Sequence, residues 1–493
     1  MALTLASAAD LLKEHHLLRE IIQGDVWTDD PARIASADEP FAGITYDTRK
    51  VTPGTLLCCK GQFKAEYLNG IDEAGLAAYV AETEYSAATA TPGLIVNDAR
   101  KAMSLLSAAF YGYPQNELTV IGVTGTNGKT SVAWLTAGML QTLGIRTGLM
   151  GTNGCRIGDT VLPSRRTTPE SWEVQRLLRQ MADSGCTHAV MEVSSHALAL
   201  DRVCGLAYTI AAFTNLSRDH LDFHGTMDRY AQAKSALFRQ CGQAAVNRDD
   251  PWASRILRGC VCPVYGYGIR GGDLRAEDVV LSPAGVRFTA REGASTAPAA
   301  VPIPGMFTVY NTLAALSIAR LSGISLADAA KALGQSRSVP GRMEPVPVPG
   351  RGYRVFIDFA HTPDAMENAL KTARSLTSGR LIAVFGCGGG RDPGKRPLMG
   401  AAASRYADLT ILTSDNPRTE DPLAIIRDIL PGITGSHQVV PDRREAIFRA
   451  LSLAHSGDTV LLCGKGHETT QETDGKLLPL DERQIIAEYI NGS

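Results

Sequence analysis

The sequence predicts an α/β protein of three domains, and three observations support this prediction. The chain has 493 residues, about three times the length of a typical domain. Short apolar runs alternate with helical patterns, which is typical of parallel strands covered by helices on both faces. One of these strands leads into a glycine-rich loop and then into a helix, an arrangement that binds phosphate.

Composition and charge exclude several classes of protein. Apolar residues make up 44% and charged residues 20%, and the net charge of −2 gives no basic field for nucleic acid. Residues 1–10 lack the basic region and apolar core of a signal peptide, and no apolar run reaches the roughly 18 residues of a membrane span. The 10 cysteines form no C-x-x-C pair and no zinc-type cluster. We therefore expect free thiols and a location in the reducing cytoplasm.

The strand pattern divides the chain into three segments, residues 1–115, 116–342 and 343–493. The first mixes short helices and strands. The second holds an alternating series and a polar insert at 281–304, which predicts a small antiparallel sheet. The third holds another alternating series. The predicted strands are Leu118–Val123, His188–Val193, Thr209–Phe213, Ala244–Val246, Val355–Phe359, Leu381–Phe385, Leu409–Thr413 and Thr459–Cys463, and helices are predicted at Val132–Leu143, Thr362–Ala373 and Pro422–Leu430.

The glycine-rich loop at 125–130 is the strongest functional signal in the sequence. Its two glycines let main-chain N–H groups face an anion, and Lys129 adds a positive charge. The hydroxyl of Thr130 stands where Mg²⁺ is usually bound. The spacing differs from the standard P-loop, because Val123 occupies the position of its first glycine. We predict binding of a nucleoside triphosphate, with a plain strand-to-helix turn as the alternative.

Three ionisable side chains follow later elements of the second segment. Glu192 ends an apolar strand, where it could bind Mg²⁺ or simply cap a helix or face solvent. His220 lies in a polar loop and could bind a metal or cap that loop. Lys234 shares the apolar face of a helix with Tyr230 and Phe238. Burial there would lower its pKa and let it take up CO₂ as a carbamate, whereas extension of the side chain to solvent is the alternative.

Charged groups also follow the strands of the third segment. Arg391 and Arg418 could bind carboxylates, and Asp415 and Glu468 could accept hydrogen bonds from an ammonium group. Together these groups suit an amino acid. Each of them alone could equally be a solvated loop charge.

These motifs, in this order, resemble those of the Mur ligases, ATP-dependent enzymes that form amide bonds in bacterial cell-wall precursors. The resemblance covers nearly the whole chain. It is closest to the branch that adds a diamino acid to UDP-N-acetylmuramoyl-L-alanyl-D-glutamate. The matching motifs are TGTNGKT at 124–130, EVSSH at 192–196, NLSRDH at 215–220, GRME at 341–344, DFAH at 358–361, DNPR at 415–418 and GKGHE at 464–468.

The resemblance implies three domains: an N-terminal α/β domain for the UDP-substrate, a central P-loop ATPase-type domain and a C-terminal Rossmann-like domain. It also implies that ATP phosphorylates the D-Glu carboxylate and that an amine attacks the acyl phosphate. Catalytic roles would belong to Lys129, His220 and the carbamylated Lys234. ATP would contact Gly125, Thr126, Asn127, Gly128, Lys129, Thr130, Asn311, Arg342 and Asp358, and Mg²⁺ would be bound by Thr130, Glu192, His220 and Lys234 as its carbamate.

Two further substrate sites follow from the same resemblance. The UDP-substrate would contact Thr48, Thr167, Thr168, Ser194 and Arg202, and the diamino acid would contact Arg391, Asp415, Asn416, Pro417, Arg418, Gly464 and Glu468. The chain departs from the branch at Leu200, where relatives can have glutamine, and at Thr308, where asparagine is common. Leu200 leaves one polar contact with the UDP-substrate in question.

Arg418 decides which diamino acid the resemblance favours. meso-Diaminopimelate has one carboxylate more than L-lysine, and burying that carboxylate without a partner is costly. DNPR resembles the signature of the diaminopimelate-adding branch, and lysine-adding relatives lack this arginine. We therefore expect meso-diaminopimelate to be the amino acid that is added. From the resemblance as a whole we also expect a monomeric ligase of small molecules that uses ATP and Mg²⁺, without nucleic acid or a membrane span.

Four alternatives stay open at this point. Two are related ligases, a lysine-adding enzyme and an enzyme like folylpolyglutamate synthetase. The third is a P-loop kinase or motor, for which we find no Walker-B aspartate. The fourth is a non-catalytic nucleotide-binding module.

Overall fold

Three main sheets with flanking helices make up the described part of the chain, residues 2–158, 160–164 and 166–492 of a computed structural model. The first sheet has the strand order β2-β1-β6-β5-β4-β3, in which β3 to β6 are parallel and β1 and β2 antiparallel. Its elements are α1 (Leu5–Glu14), β1 (Leu18–Gln23), β2 (Val26–Thr28), β3 (Gly43–Thr45), β4 (Thr55–Cys59), β5 (Leu76–Ala81), β6 (Gly93–Val96) and α2 (Ala99–Phe110).

The second sheet has 11 strands in the order β10-β9-β8-β11-β7-β12-β13-β14-β15-β16-β17. Its strands are β7 (Thr119–Thr124), β8 (Thr147–Gly151), β9 (Gly154–Ile157), β10 (Thr160–Leu162), β11 (His188–Glu192), β12 (Tyr208–Phe213), β13 (Cys241–Asn247), β14 (Val264–Gly268), β15 (Leu274–Ser282), β16 (Gly285–Glu292) and β17 (Ser295–Val301). Its helices are α3 (Lys129–Thr142), α4 (Ser171–Asp183), α5 (Ser195–Ala199), α6 (Leu221–His224), α7 (Met227–Ser235), α8 (Ala253–Ile256), α9 (Met306–Leu321) and α10 (Leu326–Leu333).

The third sheet has the order β18-β19-β23-β20-β21-β22 and is parallel except for β18. Its strands are β18 (Glu344–Val346), β19 (Arg354–Asp358), β20 (Leu381–Phe385), β21 (Leu409–Leu412), β22 (His437–Val439) and β23 (Thr459–Cys463), and β24 (Thr470–Thr473) and β25 (Lys476–Pro479) form a separate hairpin. Its helices are α11 (Pro363–Leu376), α12 (Arg396–Tyr406), α13 (Pro422–Ile429), α14 (Arg443–Leu453) and α15 (Glu482–Gly492).

The third sheet has an apolar core on each face, as its continuous apolar strands predict. Side chains along a strand alternate between the two faces of a sheet. In β20, Leu381, Ala383 and Phe385 pack into one core, and Ile382 and Val384 pack into the other. All five are buried, which explains why the strand shows no polar alternation in the sequence.

The contacts between Cα atoms group the chain into two compact units. The first unit contains the chain as far as Gly122, Ile145–Ile210 and Arg239–Gly242. The second contains Val123–Gly144, Ala211–Phe238 and the chain from Gln243 onward. The phosphate loop, α7 and the whole third sheet therefore belong to the same unit.

The α/β class predicted from the sequence is confirmed, and most predicted strands differ from the observed ones by one or two residues. The strand predicted at Ala244–Val246 is longer, Cys241–Asn247, because its first three residues are partly exposed and lack the apolar signal. The antiparallel insert starts earlier than residue 281, at Leu274 in β15. No helix in the described chain is long and apolar enough to cross a membrane.

One ion pair is completely buried beside the third sheet. Arg443, the first residue of α14, donates from Nε to Oε1 of Glu482, the first residue of α15, at 2.9 Å. Its Nη1 donates to the carbonyl oxygen of Ser414 at 3.1 Å, and its Nη2 to that of Cys463 at 2.8 Å. Both side chains of the pair are 0% exposed. Arg443 therefore joins two helices to the loop that follows β21 and to the last residue of β23.

We expect Arg443→Met to destabilise the protein by about 3–5 kcal/mol, because it leaves the buried Glu482 carboxylate without its cation. The double variant Arg443→Met/Glu482→Leu should lose less, because it removes both charges. Urea unfolding followed by circular dichroism measures both changes. A single variant as stable as the wild type would contradict the expectation.

Candidate active site

The phosphate loop joins β7 to α3 in the second unit. The helix begins at Lys129, directly after Gly128, whose φ of +85° lies in the left-handed region that favours glycine. A Cβ at Gly128 would overlap the side-chain oxygen of Asn311, and a Cβ at Gly125 would overlap the hydroxyl of Thr214. Both positions therefore require glycine, because the loop packs closely against two polar side chains.

Side chains outside the loop hold its main chain in place. The N–H of Asn127 donates to Oδ1 of Asn215 at 2.9 Å, and the hydroxyl of Thr214 donates to the carbonyl of Asn127 at 2.6 Å. The hydroxyl of Thr126 lies 3.2 Å from the phenol oxygen of Tyr230. The loop is thus fixed directly before α3, whose N-terminus carries a partial positive charge that favours an anion.

Two lysine side chains donate to one carbonyl oxygen of this loop. Nζ of Lys129 lies 2.9 Å from the oxygen of Gly125 and 2.8 Å from that of Thr126. Nζ of Lys234, on α7, lies 2.7 Å from the same Gly125 oxygen and 4.5 Å from the ring centre of Tyr230. Lys234 is 1% exposed. Its side chain therefore lies in the interior and does not extend to solvent.

Burial lowers the pKa of Lys234 well below its ordinary value, because the charged form loses its water shell. The positive charge of Lys129 lowers this pKa further, and the carboxylate of Asp219 only partly offsets the two effects. The amine of Lys234 therefore loses its proton at a lower pH than an exposed lysine does, and the neutral amine is nucleophilic.

Asp219 is a buried carboxylate with three basic groups around it. Its oxygens lie 3.2 Å from Nε2 of His220, 3.8 Å from Nζ of Lys395 and 4.0 Å from Nε2 of His361. Burial by itself would raise the pKa of Asp219, but these three neighbours lower it to about 2. Burial lowers the pKa of His361 to about 4. This cluster therefore contains an ionised Asp219 and an uncharged His361 near neutral pH.

The segment after residue 340 contacts the phosphate loop within the second unit. Nη2 of Arg342 donates to the hydroxyl of Thr130 at 3.0 Å, and its guanidinium lies 4.6 Å from the ring centre of Phe359. The buried carboxylate of Asp358 accepts two main-chain N–H groups, at 2.7 and 2.8 Å. Burial raises the pKa of Asp358, and Arg342 and these N–H groups partly offset the effect. Arg342 is thus placed at the start of α3.

Two loops of the third sheet, after β21 and β23, are joined by hydrogen bonds. Nδ2 of Asn416 donates to Oε2 of Glu468 at 2.9 Å. The completely buried Lys465 donates to Oδ1 of Asn416 at 2.8 Å and to Oε2 of Glu468 at 2.7 Å. A Cβ at Gly464, where φ is +113°, would overlap the carboxylate of Asp415. Four of the residues predicted for a diamino acid therefore lie together.

The two arginines predicted for the same ligand differ in their surroundings. Nε of Arg418 donates to Oε2 of Glu472 at 3.0 Å, and Nη1 donates to the carbonyl of Gly389 at 2.6 Å. The carbonyl of Pro417 lies so close to Gly389 that a Cβ there would overlap it. Arg391, two residues after Gly389, is exposed. Arg418 is therefore the arginine whose side chain has fixed partners.

In the first unit, three residues predicted for the UDP-substrate lie near Glu192. The hydroxyl of Thr168 donates to the carbonyl of Glu192 at 2.8 Å and accepts the N–H of Ser194 at 3.0 Å. The hydroxyl of Thr167 lies 3.0 Å from that of Thr152. The N–H of Thr152 donates to the buried carboxylate of Glu192 at 2.7 Å. Glu192 is therefore fixed by partners within its own unit.

A second buried carboxylate of the first unit, Glu170, lies among three cations. Its oxygens lie 3.1 Å from Nε of Arg202 and 2.5 Å from Nη1 of Arg166, and they also pair with Nζ of Lys60. Burial by itself would raise the pKa of Glu170, but the three cations lower it. Three positive charges around one negative charge leave a surplus that attracts an anion.

Three other residues named from the sequence have simpler surroundings. Thr48 begins a short 3₁₀ turn at Thr48–Lys50, and Leu200 follows the last residue of α5. Thr308 is buried in α9, where its hydroxyl donates to the carbonyl of Pro304 at 3.3 Å. All three residues therefore occupy ordinary positions in a turn or a helix.

The sequence reasoning missed several charged residues that contact the predicted ones. Asp219, His361 and Lys465 lie inside the motifs NLSRDH, DFAH and GKGHE, so their position alone could have drawn attention to them. Arg166 and Glu170 pair four residues apart. The other residues pair with side chains far away along the chain and had no local signal. The missed residues are Lys60, Arg166, Glu170, Asp219, His361, Lys395, Lys465 and Glu472.

Comparison with known families identifies most of this chain. The Mur ligase middle domain matches residues 123–319, and the domain described as "Mur ligase, glutamate ligase domain" matches residues 341–466. A UDP-N-acetylmuramyl-tripeptide synthetase of Bifidobacterium longum is 46% identical over the whole of both chains. The chain belongs to the Mur ligase family. It is accordingly an enzyme of the ligase class, and the kinase, motor and non-catalytic alternatives are wrong.

Other Mur ligases match over almost the whole chain. A UDP-N-acetylmuramoyl-L-alanyl-D-glutamate–2,6-diaminopimelate ligase of Geobacillus thermodenitrificans is 44% identical and covers 90% of this chain and 94% of its own. A solved structure of a ligase with the same name is 33% identical, with a TM-score of 0.68, and covers 100% of this chain and 99% of its own. A folylpolyglutamate synthase of Mycobacterium tuberculosis, 19% identical with a TM-score of 0.63, covers 78% of this chain and 94% of its own and shares the fold alone.

The buried amine of Lys234 gives the Mur ligase a specific dependence of stability on pH. The pKa of Lys234 in the folded chain lies below the ordinary value of 10.5. At pH values between the folded and the unfolded pKa of Lys234, this amine is protonated in the unfolded chain and uncharged in the folded chain. The free energy of unfolding therefore falls as the pH falls through this window, by up to about 1.4 kcal/mol per pH unit. Lys234→Met lacks this titration. We therefore expect the wild type to lose stability relative to Lys234→Met as the pH is lowered from about 9.5.

Urea unfolding in CO₂-free buffer at several pH values measures this difference. Lys371→Met, which replaces an exposed lysine on α11, is the matched control and should follow the wild type. A constant difference between the wild type and Lys234→Met over the whole range would mean that the amine is not perturbed.

Proposed function

We propose that this Mur ligase joins meso-diaminopimelate to UDP-N-acetylmuramoyl-L-alanyl-D-glutamate, with conversion of ATP to ADP and phosphate. The observation that carries the proposal is the group of residues around Arg418. A fixed guanidinium there suits a carboxylate, and the carboxylates of Asp415 and Glu468 suit an ammonium group. The names of the full-length relatives agree with this substrate.

ATP would be bound by the phosphate loop and the segment after residue 340. The main-chain N–H groups before α3 and the charge of Lys129 would stabilise the transferring phosphoryl group. Arg342 reaches the hydroxyl of Thr130 and so can add a second positive charge at the same helix start. Asn311, packed against Gly128, and the buried Asp358 would complete this site.

A carbamate on Lys234 is part of the proposal. No group of three or more histidine, cysteine, aspartate or glutamate side chains in the described chain could hold a metal ion. Addition of CO₂ to the neutral amine forms an N–C bond, releases one proton and converts the side chain into an anion with two oxygen atoms. Mg²⁺ prefers oxygen ligands, so the carbamate, with Thr130, Glu192 and His220, would supply the donor type that it needs.

When bound, Mg²⁺ would neutralise charge on the phosphates of ATP. Residues of the chain would position the reacting groups. Lys129 and the loop amides would orient the γ-phosphoryl group toward the D-Glu carboxylate. A carboxylate oxygen would take the phosphoryl group as the bond to the β-phosphate breaks, so that ADP leaves and an acyl phosphate forms. The amine of the diamino acid would then attack the acyl carbon and lose a proton, phosphate would leave, and an amide would be formed.

The UDP-substrate would be bound in the first unit. Thr167, Thr168 and Ser194 offer hydroxyl groups, and Arg202 belongs to the group of cations around Glu170. The surplus positive charge of this group suits the acidic groups of the substrate. We propose that Thr48 also contacts the UDP-substrate.

We further propose that the chain is divided at about residues 115 and 342 into domains for the UDP-substrate, ATP and the amino acid. We propose that the enzyme is a monomer in the cytoplasm.

A panel of amino acids tests this function. Purified protein is incubated with ATP, Mg²⁺, the UDP-dipeptide and one amino acid, and phosphate release and the new amide are measured. We expect meso-diaminopimelate to be used far better than L-lysine, because its second carboxylate can pair with Arg418 and L-lysine has no such carboxylate. Equal use of L-lysine would contradict the specificity. Joining of glutamate to a folate supplied in place of the UDP-dipeptide would favour the folylpolyglutamate-synthetase-like alternative.

Arg418→Ala should lose its use of meso-diaminopimelate selectively, with kcat/KM reduced by about 10²-fold or more, because a charge-assisted pair to a carboxylate is removed. Arg427→Ala removes an exposed arginine on α13 and is the matched control. Kinetics of Arg418→Ala equal to those of the control would remove the role of Arg418 in specificity.

Lys234→Ala should be inactive, and short-chain carboxylic acids should restore part of its activity, because they can supply the carboxylate that the carbamate would provide. The same acids should not restore the activity of Lys129→Ala, because this variant lacks a positive charge and a carboxylate cannot supply one. Absence of rescue in a folded Lys234→Ala protein that still binds ATP would count against the carbamate.

A further inference from the structure

Arg418 has an unusual main-chain conformation that β24 holds in place. Its φ is +56°, in the left-handed region that residues other than glycine rarely adopt. Its N–H donates to the carbonyl oxygen of Glu472 at 3.0 Å, and it forms an isolated parallel bridge with Thr473. The hairpin of β24 and β25 therefore fixes the main chain from which the guanidinium extends.

Glu472 also holds the side chain of Arg418. Its Oε2 accepts Nε–H at 3.0 Å, while the Gly389 carbonyl accepts from Nη1 at 2.6 Å. A guanidinium has five N–H groups in one plane. In the described part of the chain these two bonds use one N–H group on Nε and one on Nη1, which fixes the plane of the guanidinium. The other three N–H groups remain for a ligand.

The main chain of Glu472 also contacts the diamino-acid site. Its N–H donates to Oδ1 of Asn416 at 2.9 Å. The same Oδ1 accepts from the buried Lys465, and Nδ2 of Asn416 donates to Glu468. Glu472 therefore contacts two residues of the DNPR motif, Asn416 through its main chain and Arg418 through both its main chain and its carboxylate. A change confined to its side chain affects only the contact with Arg418.

We propose that Glu472 is a positioning residue that sets the specificity of this ligase for a diamino acid with a second carboxylate. The inference rests on the proposed function. Holding the guanidinium in one orientation before the ligand binds reduces the conformational entropy that binding must remove. The gain applies only to a substrate with a group for Arg418 to bind. L-Lysine has no second carboxylate, so its binding should not depend on Glu472.

Substitutions of Glu472 test this inference in the full-length enzyme. Glu472→Ala removes the acceptor, and we expect the KM for meso-diaminopimelate to rise about fivefold to tenfold with kcat nearly unchanged. Glu472→Gln keeps a carbonyl oxygen that can accept Nε–H and should recover most of the wild-type KM. The weak use of L-lysine at high concentration should be equal in all three proteins. Asp474→Asn removes one negative charge from the same hairpin and serves as the control.

Other outcomes overturn the inference. If Glu472→Ala and Glu472→Gln both lower the KM for meso-diaminopimelate, Glu472 acts only as a competing charge. If the KM values for ATP and the UDP-dipeptide rise together with a loss of thermal stability, its role is merely structural. If Glu472→Ala equals the wild type, Arg418 needs no positioning. A wild type that does not use meso-diaminopimelate refutes the proposed function instead, which separates the two failures.

Discussion

The carbonyl oxygen of Gly125 accepts hydrogen bonds from two lysines, and the phosphate loop depends on this arrangement. Lys129 reaches the oxygen from the first turn of α3, and Lys234 reaches it from α7. Two charged ammonium groups on one oxygen would repel each other. Burial and the charge of Lys129 both lower the pKa of Lys234, so its amine loses a proton more readily than that of an exposed lysine. The same contact therefore stabilises the loop and provides a nucleophilic amine.

Two buried carboxylates of the candidate site follow a related rule, because each has an oppositely charged neighbour. Asp219 has Lys395, and Glu170 has three cations. An unpaired buried charge is costly, so each pair must be complete for the site to keep its shape. Arg443 shows the same rule beside the third sheet, where its partner is Glu482.

Local patterns predicted most of the fold that lies around these groups. The strands of the third sheet are continuous apolar runs, because both faces of that sheet are covered. The start of the antiparallel insert was wrong, because β15 begins with alternating polar residues that resemble a loop. The sequence also did not predict β8, Thr147–Gly151, in which two glycines dilute a short apolar run.

The sequence by itself determined the loop between β7 and α3, the DNPR and GKGHE motifs and the position of Lys234 on an apolar helix face. These features depend on residues close together along the chain. Only the tertiary structure decided the partners of these residues, such as Glu472 for Arg418, 54 positions away, or Lys395 for Asp219. A hydrogen bond or an ion pair requires two side chains to meet in space, and the packing of distant elements determines which ones meet.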